Sequence, residues 1–205
     1  MASEPIVYVI DDDDGVRGSL EFLLDCAGLR VRGFASADAF LKASPPLDGA
    51  CVATAVRLPA TTGIELLEAL HARGGAPAVI VVTGHADVPL AIQAMKAGAV
   101  DFIEKPFDDE VILSAIRRAI SDRAADADAR AERNAIAGRI ATLSTRERQI
   151  MDRLVEGQAN KAIAFDLGIS ARTVEVYRAN AMMKMQAKTL SDLVRMATIA
   201  RVGGV

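Results

Sequence analysis

Polar residues that could do chemistry together stand at the ends of apolar runs. Asp11 and Asp12 follow Ile6 to Ile10, Thr83 follows Val79 to Val82, and Lys105 follows Val100 to Ile103. Two carboxylates supply hard oxygen ligands of the kind a small divalent cation takes, while an ammonium and a hydroxyl suit an anion brought beside it. One further stretch organises them. Cys51-Val52-Ala53-Thr54-Ala55-Val56-Arg57-Leu58-Pro59 is apolar and β-branched, follows the Asp48-Gly49 turn and stops at Pro59. It reads as a buried strand opening into a loop. Open α/β sheets place their sites at the carboxyl ends of strands, so a parallel sheet would gather Asp11, Asp12, Thr83 and Lys105 around Ala55.

The elements that must position these groups repeat along the chain. Ile6 to Ile10 is a strand, and a helix follows from about Val16 to Ala27, with Gly28 as its stop. Strand Arg30 to Phe34 leads to a helix capped by Ser36, and the Ala55 strand to helix Ile64 to Ala72. Strand Val79 to Val82 leads to helix Val88 to Ala97, and strand Val100 to Ile103 to a helix from Asp109 to about Ser121. Five strands alternating with five helices predict an α/β fold, a five-stranded doubly wound parallel sheet. The acidic run Asp11 to Asp14 exceeds what a helix start requires, because capping free N–H groups uses one or two carboxylates.

From residue 122 to 140 the chain turns to Ala, Asp, Arg and Glu with few large apolar side chains, which reads as a helical linker. Its alanines and Ile136 could also form a weak seam between protomers. An all-α segment of four helices follows. Ser144-Thr145-Arg146-Glu147 is a capping box. Asn160 to Leu167 is a short helix, Gly168-Ile169-Ser170 a tight turn, and Ala171 to Met185 a longer helix; Thr189 begins the last. Helix, glycine-containing turn and longer helix is the helix-turn-helix arrangement. Val174, Tyr177, Ala181 and Met185 share one face of the long helix and must be core. Arg172, Glu175, Val176, Ala179 and Met183 occupy the opposite face, flanked by Lys161, Arg178, Lys184 and Lys188.

Charge divides the same way. Residues 1 to 124 carry 11 Lys and Arg against 18 Asp and Glu, a balance of -7, and residues 125 to 205 carry 13 against 9, a balance of +4. An acidic half repels polyanions, whereas a basic half suits a phosphate backbone. A hydrophobic fraction of 51% with 25% charged residues argues against disorder. No apolar run is long enough to span a bilayer, and no basic stretch followed by an apolar core opens the chain, so a cytoplasmic location is expected. Cys26 and Cys51 lack metal-ligand spacing and are expected to be small core residues. His71 and His85 read as readily as surface residues.

Residues 1 to 121, with Asp11-Asp12, Thr83-Gly84 and Glu104-Lys105-Pro106-Phe107, resemble the receiver domain of two-component response regulators. Residues 141 to 200, within an expected domain of residues 141 to 205, resemble LuxR-type DNA-binding domains through Leu143-Ser144-Thr145-Arg146-Glu147-Arg148-Gln149, Asn160-Lys161-Ala162-Ile163-Ala164 and Arg172-Thr173-Val174-Glu175-Val176-Tyr177-Arg178. The combination resembles the NarL/FixJ class. Gly84-His85-Ala86-Asp87-Val88-Pro89 and the segment Ala94 to Phe107 are similar to its FixJ branch. The resemblance implies a transcriptional activator in a phosphorelay, not an enzyme. It implies Mg2+ held by Asp11, Asp12 and the main-chain carbonyl of Arg57, with Thr83, Phe102 and Lys105 as pocket and switch residues. It also implies a dimer face around Val88, Ile92, Lys96 and Asp101. The implied partners are a FixL-like histidine kinase, promoter DNA controlling nitrogen-fixation genes, and RNA polymerase. DNA contacts would come from Lys161, Arg172, Thr173, Glu175, Val176, Arg178, Ala179, Lys184 and Lys188.

One position departs from the family pattern. The resemblance implies an aspartate nucleophile, attacking the phosphorus of a phosphohistidine, at the position that Ala55 occupies. A methyl group cannot be phosphorylated, and the lost carboxylate weakens Mg2+ binding. Such a chain is expected to be a substituted variant resting inactive and mostly monomeric, because drift would have had to spare Asp11, Asp12, Thr83, Phe102 and Lys105 while removing the centre. The alternative is a receiver that naturally works without phosphorylation. Two other classes compete: a Mg2+-dependent phosphohydrolase, which lacks a nucleophile on the Ala55 strand, and a DNA-independent interaction module, which would show no salt-dependent duplex binding.

Overall fold

The computed structural model describes residues 5–72, 77–84 and 88–202. His85, Ala86 and Asp87 of the motif after Thr83 lie outside the described residues. The chain divides into two compact units, Met1–Asp126 and Ala127–Val205.

In the first unit β1 (Ile6–Ile10), β2 (Arg30–Phe34), β3 (Cys51–Ala55), β4 (Ala78–Thr83) and β5 (Asp101–Glu104) form one sheet in the order β2-β1-β3-β4-β5. Every pairing is parallel. β3 and β4 are buried along their whole length, as the unbroken apolar runs require when helices cover both faces of a sheet. One face packs under α2 (Ala37–Ala43), α3 (Gly63–Ala72) and α4 (Val88–Lys96), around Tyr8, Phe40, Leu66, Leu67, Val79 and Val81. The other packs under α1 (Asp14–Cys26) and the start of α5 (Asp109–Ala141), around Val7, Val9, Leu24, Ile80, Ile112 and Ile116. The doubly wound sheet expected from the alternating elements is therefore present. Because the order reverses direction beside β1, a crevice opens at the carboxyl ends of β1 and β3.

Individual residues refine the expectations. Cys51 is buried, and that burial pushes its thiol up to about 12. Cys26 is exposed rather than core; it lies two residues past the buried Leu24, which turns it about 200° away from the packed face. The four-carboxylate run divides as capping arithmetic requires. Asp13 caps α1 by accepting the N–H groups of Gly15 and Val16, which holds its carboxyl below the ordinary range. Asp14 pairs with Arg17. Asp11 and Asp12 are left over.

Helix α5 is continuous for 33 residues, helped by the absence of Gly and Pro from Asp109 to Ala137. Residues 124–135 are exposed throughout. Ile136 and Ile140 then turn into the core of the second unit, so Ile136, which a seam between protomers would use, is occupied within its own unit. There α6 (Thr145–Val155), α7 (Asn160–Leu167), α8 (Ala171–Met185) and α9 (Leu190–Val202) close over Ile150, Leu154, Ile163, Val174, Met185 and Leu193. The Ser144–Glu147 capping box opens α6. Gly168 ends α7 in the left-handed region, and Ser170 caps α8.

Candidate functional site

The sheet register assembles the first site. β1 pairs with β3 through Ile10 and Thr54, and β3 with β4 through Ala55 and Val82. Continued by one residue, the register sets Asp11 beside Ala55 on one side, and on the other side Thr83 lies one residue past Val82, the partner of Ala55. β4 pairs with β5 through Thr83 and Glu104, which makes Lys105 the next residue out, and its N–H donates to the Thr83 carbonyl at 2.7 Å. Lys105 Nζ then crosses the mouth of the crevice to Asp11 Oδ2 at 2.6 Å. Ala55 is 8% exposed. The start of α3 presses on it so closely that any Cβ at Gly63 would collide with the Ala55 carbonyl, and the Gly63 N–H donates to Val56 at 2.9 Å.

Asp11 is buried and fully engaged. Its Oδ1 accepts the Asp13 N–H at 3.1 Å, and its main-chain carbonyl accepts Arg17 Nη1 at 2.7 Å. Arg17 was not legible as part of the site, because an arginine in the first turns of a helix is an ordinary surface residue. Asp12 and Arg57 are exposed and Thr83 is buried. Receiver domains generally hold Mg2+ at this place. The side chains here do not fit the ion as they stand: Lys105 already neutralises Asp11, and position 55 offers no oxygen. Among the described residues no group of three acidic or other ligating side chains could hold a metal.

Phe102 is half-buried against the β1–β3–β4 face. Nearby, Val88 and Ile92 are exposed at 73% and 49%, and Lys96 is exposed as well. The Asp101 carboxylate pairs with Arg118 at 2.6 Å within the same unit.

In the second unit Val174, Ala181 and Met185 are buried and Tyr177 half-buried, while Arg172, Glu175, Val176, Ala179 and Met183 are exposed. The inner and outer faces of α8 are thus those expected from its spacing. Lys161 and Lys188 are exposed on either side. Thr173 shares a 2.8 Å hydroxyl contact with Ser170 in the cap, and Arg178 Nη1 lies 3.5 Å from Asn160 Oδ1. Lys184 differs from the other flanking cations: its Nζ sits 2.6 Å from Glu147 Oε2. The capping box made Glu147 visible in the sequence, but nothing local indicated that its carboxylate also reaches α8.

That contact lowers the Glu147 carboxyl, first through Lys184 and then through the Ser144 N–H. A depressed folded value stabilises the fold fully above the ordinary value of 4.5, and the contribution is lost as pH falls below it through the lowered folded value. Thermal melts of the chain and of Glu147→Gln should therefore converge on acidification below about pH 4.5, the chain losing a stability increment the variant never had. Parallel pH profiles would remove the pair from the stability of this unit.

The comparisons agree with both halves. The model for the response regulator receiver domain matches residues 7–117, and that for bacterial regulatory proteins of the luxR family matches residues 141–197. The chain is 57% identical over 196 residues to the transcriptional regulatory protein FixJ of Azorhizobium caulinodans, covering 96% of this chain and 93% of that one. It is 51% identical to FixJ of Bradyrhizobium diazoefficiens, with 96% of each covered. Among solved structures, the response regulator StyR superposes with a TM-score of 0.83 at 36% identity, over 96% of this chain and 99% of that one. Full-length FixJ from B. japonicum does so with a TM-score of 0.62 at 51% identity, over 96% and 97%. Response regulators of this type work with a histidine kinase and promoter DNA. No helix among the described residues is long and apolar enough to cross a membrane. With its receiver fold, its exposed α8 and these relatives, the chain belongs to the two-component response regulators that join a receiver to a LuxR-family DNA-binding domain.

Proposed function

We propose that this chain is a FixJ-like transcriptional regulator that cannot be phosphorylated at the usual site and rests in the unphosphorylated, inactive state. The observation that carries this reading is Ala55: an apolar side chain at the carboxyl end of β3, between Asp11 and Thr83 and within a crevice closed by the Asp11–Lys105 pair. With that pair intact, Mg2+ binds weakly, and no phosphoryl group arrives to bias Thr83 and Phe102. The inactive conformation then dominates, because a two-state switch moves only when something binds its two states differently. A FixL-like histidine kinase docks without transferring its phosphoryl group. Promoter DNA is met by Arg172, Glu175, Val176 and Ala179 facing bases, with Thr173 beside them, and by Lys161, Arg178 and Lys188 on phosphates; Lys184, expected among the phosphate contacts, is paired with Glu147, and RNA polymerase is engaged only by the active dimer.

The intact neighbours Asp11, Asp12, Thr83, Phe102 and Lys105 favour a substituted variant over a receiver that naturally dispenses with phosphorylation. The exposed face of Val88, Ile92 and Lys96 beside Asp101 would pair protomers once switched. Sedimentation at micromolar concentration is therefore expected to give a monomer. A tight dimer without phosphodonor would overturn the resting-state reading and favour the phosphorylation-independent alternative.

A further inference from the structure

The C-terminal end of α8 is held by polar contacts that an exposed DNA-reading face does not need. Lys184 Nζ donates to Glu147 Oε2 at 2.6 Å and to the Thr142 carbonyl at 3.3 Å. Arg139 Nη1 donates to the Met185 carbonyl at 3.4 Å. The Glu147 side chain is only 5% exposed, and the same Oε2 accepts the Ser144 N–H at 2.7 Å. One buried carboxylate thus closes the cap of α6 and anchors an ammonium on α8. Ile150 on α6 and Met185 on α8 are completely buried in the core of this unit. A carboxylate in such a place must stay paired, since leaving it alone costs more than the pair itself returns.

This arrangement separates Lys184 from the other cations around α8. Lys161 and Lys188 are exposed and make no ion pair among the described residues. Each can neutralise a phosphate and release a counterion on binding. Lys184 is already neutralised by the Glu147 carboxylate, and two of its three N–H donors are engaged, so it has little charge left to exchange for a counterion. Resting on the reading of α8 as the DNA-reading helix, we infer that Glu147 and Lys184 are positioning residues that fix the C-terminal end of α8 for DNA recognition, and that Lys184 supplies no phosphate contact.

The test uses the full chain, four variants and a labelled duplex of arbitrary sequence, with affinity followed by anisotropy across a potassium chloride series. Amide hydrogen exchange over residues 182–186 is measured in parallel. Lys161→Met should flatten the slope of log affinity against log salt by about 0.9, one phosphate's worth. Lys184→Met should leave the slope unchanged while exchange at the end of α8 speeds up severalfold. Lys184→Arg keeps a cation for Glu147 and should restore both the protection and the affinity. Glu147→Gln keeps an oxygen for the Ser144 N–H but frees the ammonium, and should steepen the slope by up to about 0.9. A Lys184→Met slope that flattens as Lys161→Met does, with exchange unchanged, would overturn the inference and make Lys184 a phosphate contact. Failure of the parent chain to bind at any salt would remove the DNA reading instead, and the exchange of Lys184→Met and Lys184→Arg would then decide the positioning role alone.

Discussion

Incubated with acetyl phosphate and Mg2+, the chain is expected to keep its mass, whereas Ala55→Asp gains one phosphoryl group. Forming an acyl phosphate requires a carboxylate oxygen to attack phosphorus while acetate leaves, and the methyl of Ala55 has no lone pair to give. A carboxylate at position 55 would stand beside Asp11 and one register step from Thr83 and would compete for Lys105, now 2.6 Å from Asp11. Releasing Asp11 returns a metal ligand, and Mg2+ needs several oxygens in near-octahedral array. The effect is all or none and is read by intact mass after acid quenching, with peptide mapping to place the group. In the same samples Mg2+ should raise the melting temperature of Ala55→Asp more than that of the parent, as linkage requires of a ligand that binds the variant more tightly. A stable phosphoryl group on the parent, mapped to Asp11 or Asp12, would show that the pocket works without position 55 and would sink the proposed resting state.

On a duplex carrying two half-sites, phosphorylated Ala55→Asp is expected to bind about 10²–10⁴ times more tightly than the parent, the range that linking two binding events provides. With α8 as the proposed reading helix, each protomer would meet one half-site. A chain that stays monomeric therefore loses specific affinity even with α8 free. The acidic balance of residues 1 to 124 and the basic balance of residues 125 to 205 suggest a second contribution, because a negatively charged half repels the same polyanion the other half attracts. Anisotropy titrations of the parent, the phosphorylated variant and the isolated unit 127–205 on paired, single and scrambled sites separate the two. If the isolated unit exceeds the parent on a single half-site, repulsion or masking by the first unit contributes. Equal affinities there would leave dimerisation as the whole difference. Equal binding of parent and phosphorylated variant to paired half-sites would remove the switch from the account.

Much of this was legible in the sequence because it is written in local pattern. Strand and helix alternation, the Ser144–Glu147 cap, the Gly168 turn and the division of α8 into a buried and an exposed face all depend on residues within a few positions of one another. The position of Ala55 was legible for a related reason: parallel strands deliver their carboxyl ends to one edge, so residues far apart in sequence are gathered by topology alone. Helix boundaries were less well defined. The segment 122 to 140 read as a linker, yet Ile136 and Ile140 turn into the second core. Two isoleucines four apart in an alanine-rich helix are compatible with burial or with solvent until something packs on them.

Tertiary structure alone decided which charges pair. Asp11 meets Lys105 across 94 residues and Glu147 meets Lys184 across 37. In both cases a buried carboxylate takes the cation that the fold carries to it, since desolvation makes an unpaired charge far more costly inside than at the surface. Residue type made Lys184 look like Lys161 and Lys188, a basic side chain flanking a reading face. Only the fold distinguishes it, because it brings Lys184 within 2.6 Å of the buried Glu147 carboxylate and gives it a partner before any DNA is present. Cys26 shows the converse. A small apolar residue near the end of an amphipathic helix suggested core by composition, and the helical turn past Leu24 placed it in solvent.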